Sequence, residues 1–327
     1  MTYFLKYLKN NADKLTFICI ILIICCFSCK KNSSEIQYSN ANIDTCISIP
    51  PLEGASIGYD IIEDTVIYRS PCFNPNDCNE FLYVATINGV KGLFTYNMVF
   101  REKRLLYSGE IYSCPSWGKN NWILFTLSDY NIWKIKSNGD SLTKITSSGG
   151  YFNPTWSPDA KYFMYNNPDC QNKITIVDID NNVYKILPTT DLPSWGENNI
   201  LIYNDSHGVY FYNINNDSTF FKWFEYGFNG GGFLWINTNI AIYTGSFLFN
   251  LETTNAIIKI NMLGDTCLIK PYCSGWSYGE RTYCNSTNKI IFVKDTYSLI
   301  NEFTLFRKSS LVIMNPNGSY EFKIQIL

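Results

Sequence analysis

The chain holds a single histidine, His207, among 327 residues. A Ser-His-Asp or Cys-His triad must therefore be built on that one imidazole, and a zinc site needing two histidines is excluded. No C-x-x-C pair occurs beyond Cys29, so the usual zinc-ribbon and thioredoxin spacings are missing as well. Charge is scarce: Asp, Glu, Lys and Arg make up 17% of residues, with 26 basic against 28 acidic side chains and a net charge of −2. No basic patch suggests nucleic acid. The one long apolar stretch, Leu15 to Phe27, falls short of the roughly 20 residues that cross a bilayer as a helix.

Aromatics are abundant, at 17%, and they are periodic. Tryptophan recurs at Trp117, Trp156, Trp195, Trp235 and Trp276, with spacings of 39, 39, 40 and 41 residues. A repeat of about 40 residues built of short aromatic and β-branched runs predicts a β-propeller, with one four-stranded antiparallel blade per repeat. The aligned segments Cys114-Pro115-Ser116-Trp117, Asn153-Pro154-Thr155-Trp156 and Leu192-Pro193-Ser194-Trp195 read as innermost strands. Proline, which lacks an N–H, is tolerated at such a strand start. Second strands follow at Trp122–Phe125, Tyr162–Tyr165, Ile200–Tyr203 and Ile240–Tyr243. These runs are apolar on both faces, as blades stacked on blades require.

Third strands are expected at Ile132–Ile135, Ile174–Val177, Val209–Tyr212 and Leu311–Met314. Each is followed by a polar turn, such as Ser137-Asn138-Gly139-Asp140 or Asn315-Pro316-Asn317-Gly318, whose residues accept left-handed conformations. One period upstream, Asn74-Pro75-Asn76-Asp77 keeps the proline and precedes Phe81–Val84, which makes six blades. Two further strand-like pieces, Ile57–Ile62 and Thr65–Tyr68, either close the ring by adding an outer strand to the last blade or form a seventh blade; closure is preferred.

Asn153-Pro154-Thr155-Trp156-Ser157-Pro158-Asp159-Ala160-Lys161-Tyr162 resembles the W-S-P-D-G-K motif of the TolB-type, or WD-like, propeller repeat. Elsewhere the motif is eroded to Trp117-Gly118-Lys119 and Trp195-Gly196-Glu197. The resemblance covers about residues 72–327 and implies a six-bladed propeller similar to the C-terminal domain of TolB, without the α/β domain that precedes it there. TolB's partners are therefore not carried over.

At the amino terminus, Lys6, Lys9 and Lys14 precede the apolar stretch, and Ser28 stands directly before Cys29. This resembles a lipoprotein signal with its lipobox, which implies acylation at Cys29; Cys26 stands where that family usually has leucine. The expected organisation is a signal peptide over 1–29, a polar tether over 30–43 and one propeller over 44–327. An exported chain permits disulfides, and eight cysteines lie beyond Cys29. Proximity suggests Cys72 with Cys78, and Cys273 with Cys267 or Cys284, while Cys114 reads as a buried thiol in an inner strand.

Reactive motifs give little. Gly275-Trp276-Ser277-Tyr278-Gly279 fits the G-x-S-x-G elbow and is similar to the serine motif of prolyl-oligopeptidase-type peptidases. In that family the serine sits in a separate hydrolase domain with the histidine downstream, and no histidine follows Ser277 here. His207 falls in a hairpin turn, Asp178–Asn182 lacks the glycine and glutamate of a calcium loop, and the glycine run Asn229–Phe233 precedes no helix. No catalytic residue, cofactor or metal is expected.

The resulting expectation is a monomeric, lipid-anchored, non-enzymatic binding or scaffold protein of the bacterial envelope, periplasmic or surface-facing, with an unidentified envelope protein or ligand as partner. The alternative is a propeller enzyme acting on saccharides or peptides through carboxylates such as Asp77, Asp159 and Asp191, which lie near inner strands.

Overall fold

In the computed structural model, the described residues are 59–187, 193–205, 208–222, 234–237, 240–249, 252–261, 266–271 and 276–326. After an opening strand β1 (Asp60–Glu63) the chain lays down its first blade as β2 (Val66–Asn74), β3 (Asp77–Ile87), β4 (Val90–Asn97) and β5 (Glu102–Ser108). The second is β6 (Ser116–Trp117), β7 (Trp122–Thr126), β8 (Ile132–Lys136) and β9 (Thr143–Lys144). The third is β10 (Phe152–Trp156), β11 (Tyr162–Asn167), β12 (Lys173–Asp178) and β13 (Val183–Ile186). The fourth is β14 (Ser194–Trp195), β15 (Ile200–Asp205), β16 (Gly208–Asn213) and β17 (Ser218–Lys222). The fifth is β18 (Leu234–Asn237), β19 (Ile240–Phe249), β20 (Glu252–Asn261) and β21 (Thr266–Pro271). The last is β22 (Trp276–Cys284), β23 (Lys289–Asn301), β24 (Thr304–Met314) and the short β25 (Phe322–Lys323).

Each blade is an antiparallel sheet in chain order, and the six sheets form a propeller ring. Innermost strands pack on one another: β2 on β6, β6 on β10, β14 on β18, β18 on β22, and β22 back on β2. The expected closure is what the last blade shows. β1 adds to β24 in parallel, Asp60 opposite Thr304 through Glu63 opposite Arg307, so the strand that precedes the first blade completes the last one. β25 occupies the far half of the same edge, pairing Val312 with Lys323. The second strand-like piece, Thr65–Tyr68, is not an outer strand; it opens β2.

Blade faces carry the core. Leu124, Phe125 and Ile123 of β7 are all fully buried although neighbouring residues face opposite sides, because a blade lies on each side. The repeat tryptophans tie these interfaces. Trp156 donates its amide to Ser116 Oγ (2.9 Å) and its indole N–H to Trp122 O (3.0 Å) in the preceding blade, and the Trp195 indole donates to Thr155 O (3.2 Å). Gly118 makes room for the Trp156 ring: a Cβ there would lie 2.9 Å from Trp156 Cδ1.

Register corrects two expectations about the first blade. Phe73 pairs with Phe81 as Trp117 pairs with Ile123 and Trp156 with Phe163, so Phe73 takes the tryptophan position. Asn74–Asp77 therefore turns the chain from β2 to β3 and is not an inner strand. The proposed Cys72–Cys78 bridge does not form; Cys78 is bonded to Cys284. Cys72 packs against the second blade beside Trp117, whereas Cys78 packs against the last blade, so the two thiols sit on opposite faces of one sheet. That bond also removes Cys284 as a partner for Cys273, which lies outside the described residues.

Candidate functional site

Inner strands all run from one rim of the ring to the other, so residues at equivalent repeat positions fall at one level around the axis. Three residues before the aromatic position stand Ser70, Cys114 and Asn153, in the first, second and third blades. Together they line a cleft of about 460 Å³ at the rim where the inner strands begin. Ser70 Oγ donates to Cys114 Sγ (3.3 Å), which ties the first two members of this level together. Ser70 and Asn153 both have positive φ, 49° and 55°, beside register shifts in β2 and β10. A non-glycine residue there is uncommon, and such strain gathers where a backbone serves a site.

The cleft walls carry charges that are already matched. Lys91 at the start of β4 pairs with Glu110 on the link between β5 and β6. The other Glu110 oxygen accepts the Tyr112 hydroxyl (3.1 Å). These bonds, from Lys91 first and Tyr112 second, hold the Glu110 carboxyl below its ordinary range, and the same contact pushes the Tyr112 phenol up. On the opposite wall Glu63 accepts from Arg307 (3.1 Å) and faces Arg69 (3.6 Å), while Arg307 also reaches Asp295 (2.6 Å).

Cys114, expected to be buried, is exposed into this cleft, because it precedes the first paired residue of β6. Cys72 is the less exposed thiol, half-buried between the first two blades. Burial pushes it up to about 11, and the Trp117 amide points at its sulfur much as the Trp156 amide points at Ser116 Oγ. It serves the joint between blades rather than the cleft.

The carboxylates considered for catalysis fall elsewhere. Asp77 caps the β2–β3 turn, accepting from the Asn79 amide and side chain (both 3.0 Å). Asp159 lies in the β10–β11 turn on the same far rim, accepting from Ser157 Oγ (2.7 Å), the Lys161 amide (3.1 Å) and Asn199 Nδ2 of the next blade (2.9 Å). Burial pushes the Asp159 carboxyl up, but these three donors outweigh it and hold it below the usual range. Both aspartates act as turn residues. Asp191 and His207 lie outside the described residues.

Ser277 lies within β22, paired opposite Asp295 in a continuous strand, and not at the strand-to-helix turn that an elbow requires. Asp178 is likewise a turn residue, its Oδ1 accepting the amides of Asp180 (3.0 Å) and Asn182 (2.9 Å).

Sequence reading had two members of the cleft in view, Cys114 and Asn153, as first residues of the aligned strand segments. It missed Ser70 because the first blade was read out of register. Glu63, Arg69, Lys91 and Glu110 come from a closing strand, an inner strand, a hairpin and a link, and carry no periodic signal.

No protein-family model matches the sequence, and no curated protein matches it. Solved structures do. The chain is similar to the putative TolB from Agrobacterium tumefaciens, at 14% identity and a TM-score of 0.51 over 70% of this chain and 86% of that one. It is also similar to TolB from Acinetobacter baumannii, at 14% identity and 0.40 over 78% of this chain and 53% of that one. The β-propeller domain of the Trilobed protease from Pyrococcus furiosus matches at 11% identity and 0.49, over 80% of this chain and 98% of that one. At these identities likeness speaks to fold alone, and among the three only the Agrobacterium match exceeds a TM-score of 0.5.

Proposed function

We propose that this protein is a lipid-anchored, non-enzymatic binding protein of a bacterial cell envelope, using the rim where its inner strands begin to hold a partner or ligand. The observation that carries the reading is the cleft at that rim. Links and hairpins from the first three blades and the closing strand converge there on a rigid ring, the arrangement through which propellers present variable contacts. Its matched charges orient polar partners without a large net field. The test is affinity capture from envelope extract with the full chain, compared with Lys91→Ala and Glu110→Ala. One captured component should be lost in both variants, and capture unchanged by them would place binding elsewhere.

Anchoring rests on Lys6, Lys9 and Lys14, the stretch Leu15–Phe27 and the pair Ser28-Cys29, all outside the described residues. Among the described residues no helix is long and apolar enough to cross a membrane. In cells fed an alkyne-tagged fatty acid, the wild-type chain should take up label and Cys29→Ser should not. Equal labelling of both would end the lipoprotein reading.

A further inference from the structure

Beside the cleft, three aromatic rings, inclined at 66° and 59° to one another in turn, form a stepped shelf. Tyr112 and Tyr130 lie 5.2 Å apart between ring centroids, and Tyr130 and Phe152 lie 5.6 Å apart. Tyr112 and Tyr130 are 41% and 44% exposed, unlike core aromatics such as Tyr83 and Phe125, so their ring surfaces are not absorbed into the core. The shelf is built as one piece. The Tyr112 amide donates to Thr126 O (2.9 Å), the Tyr130 amide to Leu127 O (2.9 Å), and the Tyr151 amide, next to Phe152, to Tyr130 O (2.9 Å). Tyr130 holds a positive φ of 54°, a conformation a bulky residue rarely adopts, at the turn that sets its ring between the other two. Tyr112 is fixed a second time through its hydroxyl on Glu110.

We propose that this shelf and the adjoining cleft bind a neutral oligosaccharide, a reading that rests on the rim being the binding surface and names its ligand class. Sugar rings present a C–H face and a hydroxyl edge, and the shelf and cleft offer the two matching surfaces side by side. Exposed, pre-ordered tyrosines give large contact area at little cost in conformational entropy. The cleft supplies donors and acceptors of both kinds from Lys91 with Glu110 and Arg69 with Glu63. Two acids and two bases leave no net charge, which disfavours an anionic or cationic ligand and suits a polyhydroxylated neutral one.

The experiment uses the full chain in a non-glycosidic detergent, with chito-, malto-, cello- and galacto-tetraoses as probes, read by saturation-transfer NMR and titration calorimetry. At least one tetraose should bind, with saturation transfer strongest at its C–H faces. Tyr112→Ala and Tyr130→Ala should each weaken it at least about tenfold, as central aromatic anchors do. Tyr130→Phe should bind like wild type, since the ring is kept. Both tyrosines are exposed, and unchanged circular dichroism will separate lost binding from lost folding. Absence of binding by every tetraose at about millimolar concentration, where weak contacts still register, would overturn the proposal. So would binding that survives both alanine variants. If the saccharides fail while Lys91→Ala still abolishes capture of an envelope polypeptide, the rim is a protein-binding surface and only the ligand class is wrong.

Discussion

The joints between successive blades and the seam between the first and last blades solve the same packing problem with different means. At the joint between the second and third blades, one tryptophan does most of the work: its ring fills the gap beside Gly118, its amide reaches Ser116 and its indole N–H reaches Trp122. The joint before it is a weaker copy. There the buried Trp117 indole N–H has no hydrogen-bond partner, and a cysteine sulfur stands where the serine oxygen would be. At the seam the aromatic position is Phe73, and three other devices take over. β1 pairs with β24, Ser309 Oγ bridges both the amide and the carbonyl of Tyr68, and Cys78 is bonded to Cys284. Contacts between blades about 40 residues apart are inexpensive to close. Contacts across the whole ring are not, because loop entropy grows with the length enclosed, and covalent or strand-level closure answers that cost.

The seam should be broken most by removing its covalent link. The Cys78–Cys284 bond encloses a separation of 206 residues. For a loop of that length the chain-entropy model gives about 5 kcal/mol of stabilisation. The double variant Cys78→Ser, Cys284→Ser should therefore unfold at a much lower denaturant midpoint than wild type, and adding reductant should lower wild type to the same value. A midpoint that ignores both changes would mean that β1 closes the ring without help.

Trp156→Ala tests the other side of the comparison. Removing a buried aromatic ring with its indole hydrogen bond to Trp122 O should cost about 4 kcal/mol whether or not reductant is present. Ser116→Ala probes the same joint more gently. It leaves the Trp156 amide without its acceptor, for an expected loss of about 1 to 2 kcal/mol in denaturant unfolding. If Trp156→Ala were silent while the cysteine variant collapsed, stability would reside in the seam alone.

This contrast explains what could be read in the chain before its structure. A joint used repeatedly leaves the same residue at the same interval, so Trp117, Trp156 and Trp195 announced ring, blade number and inner strands. The seam is used once and leaves no interval. Between Phe73 and Trp117 lie 44 residues against the 39 that follow, because the β3–β4 and β4–β5 strands of the first blade are longer, and the register slipped onto Asn74–Asp77. Pairing Cys72 with Cys78 by nearness failed for the same reason: in a closed ring the nearest neighbour of the first blade includes the last. The cleft at the rim lies between these extremes. Cys114 and Asn153 were visible through the repeat, while Glu63, Lys91 and Glu110 reach the cleft only through closure and hairpin geometry.

Charge follows the same division, and acid sharpens it with the smallest expected effect. Across the seam, Glu63 meets Arg307 from 244 positions away. Within the second blade, Asp129 finds all its partners locally: the Trp133 indole N–H (3.1 Å), the Asn131 amide (3.1 Å) and Lys144 (2.9 Å). Burial pushes the Asp129 carboxyl up, but these donors more than offset it and bring it down to about 2 from an ordinary 3.8. A depressed native value means that the unfolded chain takes up the proton first. The contribution is thus complete above pH 4 and fades as pH falls through about 2. Because the Asp129 side chain is 37% exposed, solvent screening limits it to under about 1 kcal/mol. Asp129→Asn should lower stability slightly at neutral pH and be indistinguishable from wild type near pH 2, as measured by urea unfolding at both. A gap between them that widens on acidification would show that the carboxylate is not held by these local donors.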